Sequence, residues 1–525
     1  MRGRGARAGW PLWRGLLKLP ALLLCLTGCT VLGPDYDEPD IAWLAEWQPD
    51  LYGQLKEDSA VVGEDLAAWW RRFDDPVLTR LVDEVRSANP SLIQAGLRVL
   101  EARARLSGAQ ALRLPQQQQL RSSAAYLRQR RSDGLLPASD DSFGSYDASL
   151  AAGWELDFWG RFERGVQSAD AAFLASVARQ RDLQVLLIAQ TVELYYALRT
   201  TELRIAIARK NADIQKRSFE ITTKLFESGQ QSELDLQQAR TQYLATLATI
   251  PDLQRSRTQL RNALAVLLAR PPAPLAELAG TTPALPSVDP VAISDVPAAL
   301  ILRRPDVRAA AWEAGAQSAQ IGVATAELYP AISLLGSFGW SGDSLDVTRD
   351  GTTFAAGPSL RWNIFDYGRI RANIRVQDAR LQQALVAFDA AVLDAAREVD
   401  DAAIAVVRTA EAAIILRESR QAAERALDIA NRRYQEGYAD FQRVLDAQRA
   451  LFAQAEKELV NEGAHLAALV GLFRSLGGGW QSRSLEDMVP DPVRRQLTER
   501  SNWGELLDAA VPEDLEAAAT RGRRR

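Results

Sequence analysis

The sequence predicts a mainly α-helical chain with a small β part, built from one large unit that occurs twice. Three observations carry this reading. Trp154, Gly160 and Gly229 recur as Trp362, Gly368 and Gly437, each 208 residues later, and Pro90 and Pro115 are echoed by Pro305 and Pro330, again 25 apart. The stretch from Gly368 to Gly437 contains neither proline nor glycine, and from Gly160 to Gly229 only Gly165 interrupts. Ahead of each stretch, apolar and polar residues alternate. A period this long is not that of a solenoid, whose repeats run about 20–50 residues; it is one supersecondary unit duplicated and fused.

The chain begins with Arg2, Arg4, Arg7, Arg14 and Lys18, with no acid among them, followed by the short apolar run Leu19 to Leu26. That run is too short to span a bilayer and reads as a signal peptide over 1–28. It closes on Leu26-Thr27-Gly28-Cys29, which resembles a bacterial lipoprotein box, so Cys29 is the expected lipidation site. Acyl chains there would anchor the mature N-terminus at a membrane leaflet. Residues 29–76, rich in Trp and acids with no clean period, read as a lipid-anchored extended arm.

The first repeat spans 77–269 and the second 298–480, joined by the linker 270–297 with its seven prolines. A short helix is expected over 77–88. Residues 90–114 and 305–328 show the 3.6-residue rhythm, with a proline at each start, where a missing N–H costs little, and another to stop it. The period then changes to two. In 145–158, Tyr146, Leu150, Trp154 and Leu156 alternate with Ser145, Asp147, Ser149 and Glu155; in 353–364, Phe354, Leu360, Trp362 and Ile364 alternate with Thr353, Ser359, Arg361 and Asn363. Strict alternation predicts strands with one apolar and one polar face. Partners over 331–341 and 118–129 make two hairpins and four strands per chain. Pro358 is tolerable on an edge strand.

Each Gly-poor stretch predicts one helix of about 67 residues, about 100 Å long. Returning helices are expected over 231–268 and 440–475, with Gly229 and Gly437 at the tips and Pro251 kinking or breaking the first return. Alanine is dense, with ten between Ala390 and Ala413, which lets helix axes approach closely. The tail 481–525 has little pattern and reads as solvated and partly disordered.

Composition narrows the function. The 525 residues carry a net charge of −5, with no basic footprint for nucleic acid. One histidine, His465, and two cysteines, Cys25 and Cys29, cannot build a His/Cys metal site or a disulfide framework. His465 sits on a helix face among Ala and Leu. No catalytic set is visible, so neither an enzyme nor a cofactor is expected. Strands of this kind fit a soluble sheet or a membrane barrel wall, with Trp159, Trp340 and Tyr367 near the interface; the long flanking helices favour the barrel. Four strands cannot close one, since barrels start at about eight strands, and an open edge in lipid is forbidden. Several chains are needed. Three would give twelve strands and a twelve-helix cylinder, a conduit from the outer membrane across the periplasm. Trp154, Leu156, Trp362 and Ile364 would then face lipid, and Glu155 and Asn363 the lumen.

These features resemble the TolC-like outer-membrane efflux proteins, in the lipoprotein branch of OprM-like and NodT-type channels. The resemblance rests on Leu26 to Cys29, Gly33-Pro34-Asp35-Tyr36 with Pro39, Asn89-Pro90, Arg304-Pro305-Asp306-Val307, Trp154 to Gly160, Trp362 to Gly368, the tips Gly229 to Ala239 and Gly437 to Gln448, and Gly477-Gly478-Gly479-Trp480. It implies a homotrimer, with a trimeric α-helical barrel continuous with a 12-stranded transmembrane β-barrel. It also implies docking to a periplasmic adaptor protein and an inner-membrane pump of RND type, with the tips Gly229 and Gly437 as adaptor contacts. By the same resemblance Asp235, Tyr434 and Asp446 form the periplasmic gate. Ala439 stands where some members carry arginine, and Arg443 where they have an aspartate. A type I protein-secretion exit channel and a non-pore coiled-coil lipoprotein are the alternatives. The lipobox and the Gly33-to-Pro39 motif lean toward small-molecule efflux.

Overall fold

The computed structural model describes residues 30–47, 66–131, 139–286, 297–343 and 351–512. Signal peptide and Cys29 therefore lie outside the described residues, as do the ends of the linker and tail. In chain order come α1 (Ala42–Glu46), α2 (Pro76–Ala88), α3 (Pro90–Ala111), β1 (Gln117–Arg131), β2 (Ser139–Glu155), α4 (Arg161–Glu227) and α5 (Glu233–Leu267). Then follow α6 (Pro297–Arg303), α7 (Pro305–Ala326), β3 (Ala331–Gly342), β4 (Gly351–Arg361), α8 (Arg369–Gln435), α9 (Phe441–Ser475), α10 (Leu485–Met488) and α11 (Asp491–Arg500). The duplication is literal in length. α3 and α7 have 22 residues each, α4 and α8 have 67, and α5 and α9 have 35.

Proline and glycine set these ends. α3 and α7 stop at Ala111 and Ala326, each four residues before Pro115 and Pro330, because a proline ring clashes with the carbonyl four residues earlier. Pro251, by contrast, lies inside a continuous α5 and does not break it. An interior proline costs about 3 kcal/mol through the lost hydrogen bond and the ring clash, and α5 runs through it all the same over its 35 residues.

The chain divides into two compact units. The first comprises residues 1–38, 104–172 and 313–384 and holds the sheet. All four strands are antiparallel neighbours in the order β1-β2-β3-β4. The two hairpins are thus joined through β2 and β3, where Leu150 pairs with Phe338 and Glu155 with Ser333. The strands end earlier than expected: β2 stops at Glu155 and β4 at Arg361, so Leu156, Trp362 and Ile364 are not strand residues. The backbone turns there to start the next helices. Asp157 accepts from the Glu163 amide at 2.8 Å, and Asp366 from the amides of Gly368 and Ile370 at 3.0 and 2.8 Å.

The arm, too, is more than an extended strap. Within the first unit, the Arg164 guanidinium donates to the carbonyls of Leu32 (2.9 Å) and Gly33 (3.0 Å) and pairs with Asp35 (2.9 Å). Gly33, at φ +88, lies against the backbone of Gly322, so close that a side chain on either would collide.

The second unit comprises 39–103, 173–312 and 385–525. Its main core gathers Trp69, Trp70, Phe73, Leu78, Leu81, Tyr195, Tyr196, Leu472 and Phe473. Trp69 stacks on Phe473 with centroids 4.9 Å apart. The end of the predicted arm is therefore a core anchor, held in a 3-10 turn over Trp69–Phe73. Asp75 caps α2, accepting from the amides of Val77 and Leu78 at 2.8 and 3.1 Å, and also accepts from the Tyr195 hydroxyl at 2.7 Å. Burial, and then this carboxylate, push the Tyr195 phenol up to about 12. Gly478 and Gly479 let the chain cross Trp69: a Cβ on Gly479 would lie 3.2 Å from the Trp69 indole nitrogen.

Over 481–512 the tail has regular structure. It folds as α10, α11 and a 3-10 turn over Gly504–Asp508, with Leu485, Met488, Val489 and Leu507 buried. Part of the linker is likewise fixed, because Leu275 is buried and Arg270 bridges Glu84 (2.6 Å) and Glu277 (2.8 Å).

Candidate functional site: an apolar sheet face and two helix tips

Residues directly opposite in an antiparallel pair share a face, so the register carries the faces across all four strands. Leu120 opposes Leu150, Leu150 opposes Phe338, and Phe338 opposes Phe354. On the same side lie Trp154, Leu334, Trp340 and Leu360. The other side carries Arg121, Ser123, Ser149, Asp147, Glu155, Ser333, Ser337, Ser359 and Arg361. Ser123 donates to Asp147 across β1 and β2. The apolar face is open: Leu120 is 81% exposed, Phe354 76% and Phe338 58%.

The two aromatic positions expected on that face are tied down by their indoles. Trp154 Nε1 donates to the Arg113 carbonyl at 3.2 Å and Trp362 Nε1 to the Leu328 carbonyl at 2.9 Å. Both carbonyls lie just past the end of a 22-residue helix, where backbone acceptors lack intrahelical partners. Leu156 continues the hydrogen bonding beyond β2, its amide donating to the Ile332 carbonyl at 2.9 Å. Ile364 is 69% exposed.

The tips belong to the second unit. Gly229 and Gly437 sit at φ +74 and +78, the left-handed conformation that closes a helix C-terminus. Gln230 and Tyr438 amides reach back to the Leu225 and Arg433 carbonyls, each at 2.8 Å. Ser232 then caps α5 and Asp440 caps α9. Asp235 is engaged in that first cap: its amide donates to Ser232 Oγ at 3.2 Å, and Ser232 Oγ donates to its carboxylate at 2.6 Å. Tyr434 packs against Phe441 with ring centroids 5.4 Å apart. Its hydroxyl accepts from Gln231 Nε2 at 3.1 Å, joining the two tips within one chain. Among the described residues Asp235 makes no such link. Asp446 accepts from Gln442 Nε2 at 3.0 Å and pairs with Arg449 at 3.2 Å, Asp446 and Arg449 both being exposed. Arg443 turns to Asp440, whose carboxylate caps its amide. Gln231 was not legible as a tip residue, because glutamine in a polar turn carries no pattern of its own.

Among the described residues there is no cluster of His, Cys, Asp or Glu able to hold a metal, and no helix long and apolar enough to cross a membrane. His465 lies on α9 with Nδ1 2.8 Å from the Thr409 hydroxyl, and burial lowers its pKa.

The model of the outer membrane efflux protein family matches residues 81–270 and 296–478. Over 477 residues the chain is 33% identical to outer membrane protein OprJ of Pseudomonas aeruginosa, covering 89% of this chain and 96% of that one. It is 30% identical over 481 residues to the toluene efflux pump outer membrane protein TtgF of Pseudomonas putida, covering 89% and 98%. The solved outer-membrane channel OprN matches with a TM-score of 0.77 and 33% identity, covering 86% of this chain and 99% of that one. The chain belongs to the outer membrane efflux protein family and serves in the outer membrane as the exit duct of an efflux system.

Proposed function

We propose that three copies of this chain close one pore, which takes small molecules from an inner-membrane pump of RND type through a periplasmic adaptor and releases them outside the cell. One observation carries the reading: a continuous apolar face runs across four strands and stands open, backed by a polar face. In lipid such a sheet satisfies its backbone only when closed. Among the described residues β1 and β4 are its two edges, and three copies supply twelve strands. The apolar face meets lipid, the polar face lines the pore, and Trp154, Leu156, Trp362 and Ile364 sit at the apolar margin. Cys29 carries the lipid anchor, which mass spectrometry of the mature N-terminus detects as an acylated cysteine.

Leu150 and Ser149 are neighbours on β2 with opposite faces. An arginine on the lipid face costs about 2–4 kcal/mol at mid-bilayer. Leu150→Arg should therefore deplete assembled oligomer from outer membranes, while Ser149→Arg assembles. Equal tolerance at the two positions would refute a membrane-spanning sheet. At the tips, Asp446 supplies the charged ring of the closed end, Tyr434 with Gln231 holds each pair of tips together, and Asp235 stiffens the first. Asp446→Ala should raise single-channel conductance in planar bilayers; unchanged conductance removes Asp446 from the gate.

A further inference from the structure

At the foot of the sheet, on the side of its polar face, the first unit contains a cleft of about 350 Å³. Glu155 from β2 and Arg361 from β4 enter it, and it reaches to Glu327 and Tyr329 beyond the end of α7. Its volume falls in the range of pockets that take drug-sized molecules, about 300–1,000 Å³.

Three carboxylates and two guanidinium groups line the cleft. Glu155 answers both cations, at 3.0 Å from Arg161 and 3.9 Å from Arg361. Asp157 spends one oxygen on the Glu163 amide, capping the start of α4. Among the described residues the Glu327 side chain has no hydrogen-bond or ion-pair partner. The surplus charge is therefore negative and falls on Asp157 and Glu327, of which Glu327 is the one with no partner among the described residues. Beside it lies an aromatic wall, Trp159 stacked on Tyr329 with centroids 4.7 Å apart. The Trp159 indole is fixed by its bond to the Pro330 carbonyl at 2.9 Å, which holds the stack in place. Tyr329 is 40% exposed, so the ring can be covered from the cleft.

A free carboxylate next to an aromatic surface is complementary to a cation carried on a flat apolar body, through charge attraction and cation–π contact together. We propose that this cleft binds aromatic organic cations and forms a station for them on the wall of the duct. The station's place in transport rests on the reading of the polar face as the pore wall.

Ethidium, a flat aromatic cation, is the probe, and fluorescence anisotropy with the assembled full-length channel in detergent reads its Kd. Glu327→Gln, which breaks no hydrogen bond or ion pair among the described residues, should weaken binding about fivefold to tenfold, and Tyr329→Leu by a similar factor. Arg361→Gln should leave binding equal or tighter. Ethidium that fails to bind, or binds Glu327→Gln as well as the parent, overturns the site. So does an anionic dye, 8-anilinonaphthalene-1-sulfonate, that displaces ethidium and is lost with Arg361→Gln. Conductance of the same preparation in planar bilayers separates the two claims: pores without ethidium binding refute the station alone, and binding without pores refutes the duct.

Discussion

The two copies of the repeat solve one problem with different chemistry. Asn89 and Arg304 each stand just before the proline that opens a 22-residue helix, and each reaches the last carbonyl of its own return helix. Asn89 Nδ2 donates to Leu267 at 2.9 Å, and Arg304 Nη1 donates to Ser475 at 2.8 Å. In the first copy the amide also caps α3, accepting from Ser91 at 2.9 Å. In the second, the buried guanidinium also grips Asp306 (2.7 Å) and Glu398 (2.8 Å). A neutral side chain closes a local joint; a charged one gathers α7, α8 and α9. Gly160 and Gly368 diverge in the same way. Both have positive φ, but a Cβ on Gly160 would meet Val31 of the arm at 2.8 Å, whereas at Gly368 it would meet nothing. Duplication preserved the backbone and left each copy to acquire its own neighbours.

The comparison is broken most severely at Arg304. Arg304→Met strands two carboxylates and a carbonyl, and should cost about 3–5 kcal/mol. Asn89→Ala should cost about 1–2 kcal/mol, the scale of a lost cap and one buried hydrogen bond. Thermal unfolding in detergent followed by circular dichroism compares them; equal losses would show that the charge adds nothing. Next come the glycines. An L residue in the left-handed region costs about 1–2 kcal/mol, so Gly368→Ala should lose that much and Gly160→Ala more. Only Gly160→Ala should also speed protease cleavage of the arm.

A finer test is pH. Burial first, and then Asp306, push the Asp182 carboxyl up to about 6, with Arg304 opposing and Glu398 reinforcing. Its folded pKa exceeds its unfolded value, so the native state holds the extra proton between about pH 4 and 6, and stability falls as pH rises through that window. The change is about 1–3 kcal/mol. Asp182→Asn should flatten it, while a variant as pH-dependent as the parent assigns the effect elsewhere.

Much of this architecture was legible because it is written in local punctuation. Pro115 and Pro330 end helices, Gly229 and Gly437 turn them, and parity from Tyr146 to Trp154 names the faces of β2. The strand ends were not legible, since Asp157 and Asp366 turn the chain by capping helices that begin several residues later. Trp69, Trp70 and Phe73 were hidden for a related reason: a 3-10 turn is too short to show a period, and its packing partners come from distant segments. The tail's α10 and α11 are short, and Met488 gains its burial beside Gly96, far away in sequence. At the tips, family likeness pointed to Tyr434 but not to the glutamine that holds it.

The sheet's two unpaired edges have a genetic consequence. With closure supplied by sister copies, no subunit completes its own membrane wall. A subunit able to offer one good edge but unable to insert would enter mixed rings and spoil the sound chains beside it. Lesions on the apolar face of β2 or β3 should therefore be dominant when expressed with the normal allele, whereas a chain that never folds should be recessive.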